Sequence, residues 1–88
     1  MINKITYPAV VAQSVLDDQI MYNVSFPDLS SAITYGTNLR EALLNARTLL
    51  KLLLDGEEAL PESSTMTEVQ AHYPKCMVSL VTAEWNKE

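Results

Sequence analysis

The chain has 88 residues, 48% hydrophobic and 19% charged, with eleven acidic against six basic residues and a formal net charge of -5. That length suits one domain around one core, expected here over residues 1–88, and the hydrophobic fraction excludes a disordered chain. The scattered cations argue against phosphate binding by this chain alone, whereas an acidic surface suits a basic partner.

In chain order, residues 4–13 are β-branched and aromatic and predict a first strand. Pro8 cannot donate to a ladder, so it is expected at the strand's start or at an edge. Asp17, Asp18 and Gln19 make a polar turn. Ile20, Tyr22, Val24 and Phe26 then alternate with Met21, Asn23 and Ser25, predicting a second strand with one buried face and a hairpin with the first. Pro27-Asp28 ends it, and residues 32–35 predict a short third strand. Gly36 is expected to supply the backbone freedom to turn into a helix.

Asn38 is the expected N-cap, with Glu41 three positions on as in a capping box. The helix is predicted over residues 39–54. Leu39, Ala42, Leu43, Ala46, Leu49, Leu50 and Leu53 form its apolar stripe. Leu44 and Leu52 fall outside that stripe. They are either single exposed leucines or a self-association or partner surface. Gly56 fits a C-cap. Residues 57–64 read as an acidic connection, and Thr65 or Thr67 caps a short helix through about Ala71 that Pro74 stops. Cys76 to Thr82 alternates again and predicts a fourth strand. The expected class is α+β, in the order β-β-β-α-β, with one main amphipathic helix packed on a short, mainly antiparallel sheet.

The residues offer little catalytic chemistry. One cysteine, Cys76, excludes an internal disulfide and a Cys-rich zinc site. The one histidine, His72, reads as a surface or helix-end residue. The two glycines cannot build a phosphate loop. The carboxylates fall at turns rather than inside strands. No catalytic, cofactor-binding or metal-ligating residue is nominated, and no enzyme is expected. The first ten residues lack the apolar core of a signal peptide. The longest apolar run, residues 49–54, is broken by Lys51 and too short for a bilayer. A cytoplasmic protein without membrane association is the expectation. Trp85, near the chain end, either closes the local core or anchors a partner.

The segment from Phe26-Pro27-Asp28-Leu29 through Leu39, Glu41-Ala42-Leu43 and Asn45-Ala46 resembles the signature of the HicB family. That signature reads F-P-D-L-P-G-C, a short strand, a glycine, and L-x-E-A-L-x-N-A on a helix. Tyr7-Pro8-Ala9-Val10 upstream and Leu60-Pro61-Glu62-Ser63 downstream extend the likeness to roughly residues 5–82. It departs where Ser30-Ser31-Ala32 stands for P-G-C and Gly36-Thr37-Asn38 for G-D-T. The resemblance implies a partial ribonuclease-H-like fold without the nuclease's carboxylates, and a homo-oligomer, a dimer or tetramer, as in many members of the family. It also implies an antitoxin of a type II toxin-antitoxin pair, which binds and blocks a small basic HicA-like ribonuclease toxin. Many relatives carry a C-terminal DNA-binding segment. This chain stops at Glu88 just after the fourth strand, so no separate C-terminal DNA-binding domain and no direct DNA binding by this chain are expected.

Three readings follow. An antitoxin would contact its toxin through exposed acids, for which Asp28, Glu57, Glu58 and Glu62 are the candidates. An orphan regulatory or interaction module without a toxin would self-associate through Leu44 and Leu52. A nuclease on the same scaffold would require metal-dependent cleavage that is lost on Asp28→Asn, and the fold alone does not imply it.

Overall fold

The computed structural model describes residues 2–29, 32–55 and 61–86. Its elements run β1 (Ile2–Leu16), β2 (Gln19–Ser25), β3 (Ile33–Gly36), α1 (Leu39–Asp55), α2 (Met66–His72) and β4 (Met77–Asn86). The α+β order and the single main helix on the sheet are as expected. The strands form one sheet in the order β3-β2-β1-β4, and every neighbouring pair is antiparallel. No described helix is long and apolar enough to cross a membrane.

β1 is longer than the ten residues expected of it, because two partners share it. β2 pairs with its C-terminal half, from Val10↔Ser25 to Leu16↔Gln19. β4 pairs with its N-terminal half, from Ile2↔Asn86 to Val11↔Met77. Pro8 therefore sits inside a strand that is central in the sheet order, yet β2 has already ended there. A missing N–H on that open side breaks no rung. β4 runs on to Asn86, past the expected Thr82, because the first residues of β1 supply further rungs. The local alternation of residues 76–82 could not announce that partner.

The β1–β2 hairpin closes through Asp17 and Asp18, with φ of 50° and 65°. With Leu16 opposite Gln19, this is a two-residue turn with positive φ at both central positions, whose twist matches that of the strands. The hairpin then outruns the helix. Val24 and Phe26 are buried and Tyr22 is half-buried. Ile20, expected on the same buried face, is 52% exposed opposite exposed Val15.

One face of the sheet carries Tyr7, Ala9, Val11, Val24, Val81 and Ala83, packed with Ala42, Ala46 and Leu50 of α1. Leu43, Leu49 and Leu53 flank that core half-buried, as the predicted stripe requires. Leu39 departs from it: in the first turn of the helix it is partly exposed. α2 lies on the opposite face, where Val69 packs with Val10 and Val78 and with half-buried Cys76. Past Pro8 and Leu80 that face turns polar, with Thr6 bonded to Thr82 at 2.7 Å and Lys4 paired with Glu84 at 3.3 Å.

Both helices start on caps that the sequence announces. The Asn38 side chain accepts from the Glu41 N–H at 2.8 Å, and the Glu41 carboxylate reaches back to the N–H and hydroxyl of Thr37. Thr65 caps α2 in a reciprocal box with Glu68. Gly56 lies outside the described residues. The role of Gly36 differs from the expectation, since its φ is not positive. It is needed for close approach. A Cβ there would lie 2.4 Å from the Ala42 nitrogen and 2.8 Å from its Cα. Glycine thus lets β3 touch the helix backbone.

Two substitutions test these backbone roles by urea denaturation. Gly36→Ala should cost about 1–3 kcal/mol or more, because the obstructing atoms are backbone and only a shift of α1 relieves them. Asp18→Gly should raise stability by about 0.5–1 kcal/mol, since only glycine takes that turn position without penalty.

Candidate functional site

β1 and β2 part company below Val10, and three chain segments meet at the step. The Tyr7 hydroxyl donates to the Pro61 carbonyl. Asp28 is half-buried, and its two carboxylate oxygens accept from the Ser64 hydroxyl at 2.7 Å and the Ser64 N–H at 2.8 Å. The turn that holds Asp28 is fixed in its own right. Leu29 N–H donates to the Phe26 carbonyl, Ala32 N–H to Leu29, and Phe26 N–H to Ala32. Phe26 is buried and Leu29 packs against the main core.

The segments around residues 7–10, 26–29 and 61–64 thus come together in space. The Tyr7 hydroxyl and the Asp28 carboxylate are thereby spent on Pro61 and Ser64. Asp28, a candidate contact acid, serves here as a clamp. It ties the β2–β3 turn to the chain that leads from α1 to α2, and sequence spacing gave no sign of the Ser64 partner 36 residues away. A cleft of about 260 Å³ lies beside the clamp, lined by Asp28, Ser64, Glu68, His72 and Tyr73 among others. The Ser64 hydroxyl donates to Asp28, and His72 is exposed at the end of α2.

Of the other acidic candidates, Glu62 is exposed on this same connection, while Glu57 and Glu58 lie outside the described residues. The structure adds an acidic surface the sequence had marked only as a turn. At the free end of the hairpin, Asp17 and Asp18 stand beside exposed Val15, Leu16 and Ile20, beyond the reach of α1.

The two leucines outside the helical stripe are both exposed, Leu44 at 51% and Leu52 at 68%. They do not share a patch. Eight residues of helix turn Leu52 about 80° away from Leu44. Leu52 follows the row of Asn45, whose side chain donates to the Tyr35 carbonyl of β3. Leu44 faces the other flank, where Leu39, Arg40, Leu43 and Arg47 border a groove of about 740 Å³ along residues 79–82 of β4. That groove continues past Lys51 to Ala83 and Glu84.

Among the described residues no group of three or more His, Cys, Asp or Glu side chains is placed to hold a metal ion. The side chain of Trp85 lies outside what is described. No protein-family model matches the chain, and no curated protein matches it significantly.

Tyr7 gives the step a pH signature. Burial, and after it the charge of Asp28, push its phenol above the ordinary value of 10.0. The fold favours the neutral phenol. Its contribution to stability is whole below pH 10.0 and is lost as pH rises through the raised value. Tyr7→Phe should cost about 1 kcal/mol at neutral pH, for the bond to Pro61. It should also flatten the alkaline fall in stability, measured as urea midpoints on both sides of pH 10.0.

Proposed function

We propose that this chain is an antitoxin-type inhibitor, which binds a small basic ribonuclease and covers its active surface. The observation that carries the reading is the free end of the β1–β2 hairpin. It projects Val15, Leu16 and Ile20 into solvent with Asp17 and Asp18 at its tip. Val15 and Ile20 pair on one face of the ribbon and Leu16 lies on the other. Exposed apolar side chains beside like charges suit a partner of opposite sign, because the potentials steer encounter and the apolar area holds the complex. The net charge of -5 and the exposed Glu62 act in the same direction. The resemblance in residues 5–82 supplies the class of partner, a HicA-like toxin. With Asp28 engaged by Ser64, the acids of the hairpin end, together with Glu57, Glu58 and Glu62, become the contacts to test first.

Inhibition of this kind requires no chemistry from the inhibitor. A rigid surface that displaces RNA from the toxin suffices, and the sheet behind the hairpin supplies the rigidity. An orphan interaction module remains the competing account. It draws on the exposure of Leu44, but Leu44 and Leu52 lie on different flanks of α1 and do not make one self-association patch.

The test is to recover the tagged chain from its own cells and identify its companions by mass spectrometry. The expected result is a small basic protein at stoichiometric yield, whose RNA cleavage this chain titrates out. Replacing Asp17-Asp18 by Asn-Gly keeps the turn and removes both charges. It should slow association and weaken its dependence on salt. Recovery of self-associated chain alone, across several growth conditions, would overturn the reading.

A further inference from the structure

We infer that the outer edge of β4 takes an extended peptide strand of alternating apolar and acidic residues, a second docking surface independent of the hairpin end. In the sheet order β4 is terminal, and among the described residues no strand pairs with its outer edge over Met77–Asn86. A long edge of unpaired N–H and C=O groups is the template for strand addition.

The side chains beside that edge specify what the added strand carries. Leu80 lies opposite Pro8 and shares the α2 side of the sheet with Val10 and Val78, yet it is 52% exposed. On the α1 side, Leu44 borders the groove among the exposed cations Arg40, Arg47 and Lys51. Those three are half of the six cations in an acidic protein. Among the described residues the ion pair formed is Lys4 with Glu84, so none of the three has an acidic partner there. Successive residues of an added strand point to opposite sides. One set would cover Leu80 with apolar side chains. The other would lay carboxylates, on their methylene stems, against Leu44 and the cations.

A second copy fits less well. Two-fold pairing of β4 with itself would set the two α1 flanks side by side and bring the cations of one copy toward those of the other. A nucleic acid would meet the cations, but it could not satisfy the backbone edge or cover Leu80.

Two blocked heptapeptides, alternating Val-Glu and alternating Val-Lys, test this by NMR titration of the isotope-labelled full chain. The Val-Glu peptide should shift amide signals of residues 77–84 and of the Arg40 to Lys51 flank, at least about tenfold more tightly than Val-Lys. In the double variant Arg40→Glu, Arg47→Glu, at two exposed helix positions, the preference should reverse, with circular dichroism confirming the fold. The proposal falls if neither peptide moves the β4 signals of the wild-type chain, or if both bind it alike. It falls equally if a single-stranded oligonucleotide moves those signals and the Val-Glu peptide does not. A dimer by sedimentation that Leu80→Glu dissolves would assign the edge to a second copy and overturn it as well.

Discussion

Val10 and Val11 are the residues of β1 that have strand neighbours on both sides. Everything else in the sheet is arranged around that offset. Above the two valines β1 is tied to β2, and below them to β4, so the sheet is stepped rather than rectangular. The longest dimension, 45 Å against 26 and 19 Å across, follows from a 15-residue strand that neither partner covers along its length. The step leaves backbone and apolar surface open beside Tyr7 and Pro8. The connection from α1 to α2 closes it, held by Tyr7 to Pro61 and by Asp28 to Ser64. That connection also carries the chain from one face of the sheet to the other, which is why α1 and α2 cover opposite sides.

Small residues set how closely the layers meet. Ala9, Ala42, Ala46 and Ala83 are fully buried between α1 and the sheet, and Gly36 lets the third strand touch the helix backbone. Such an interface gains from contact density more than from side-chain bulk, and it tolerates added atoms poorly. The core is also short. α1 covers the middle of one face and α2 a small area of the other, so the hairpin end and the β4 edge remain outside. Both proposed docking surfaces are where the covering helices stop, and they differ in sign: acids at the hairpin tip, cations along the β4 side of α1.

What could be read from sequence was local. The Asn38 cap, the span of α1, the Thr65 cap and the alternation of β2 each depend on residues within a few positions of one another, and each appears as expected. What could not be read depended on partners far along the chain. The length of β1 and the end of β4 are set by each other. The bond from Asp28 to Ser64 needs the connection to double back. Ile20 alternates correctly but is exposed, because periodicity gives the face and not how far a helix extends over it. Gly36 was read through its flexibility when its lack of a side chain was the point. Leu44 and Leu52 looked equivalent as exceptions to a stripe, but the rotation between them sends one toward β4 and the other toward β3. For the site, sequence marked the acids without showing which were already engaged.

Tyr7, Asp28, Pro61 and Ser64 hold the step together, and recognition is proposed for other surfaces. The most direct test of that division is a double-mutant cycle on Asp28 and Ser64, with Asp28→Ala, Ser64→Ala and the pair compared by urea denaturation. The cycle isolates the Ser64 hydroxyl bond to a half-buried carboxylate, because the backbone N–H at position 64 survives Ser64→Ala. It predicts a coupling energy of about 1–3 kcal/mol, with the pair losing less than the sum of the singles. Losses that simply add, with a coupling of no more than about 0.3 kcal/mol, would contradict it. Asp28 would then be free to act as a contact residue, and the clamp could not be what closes the fold.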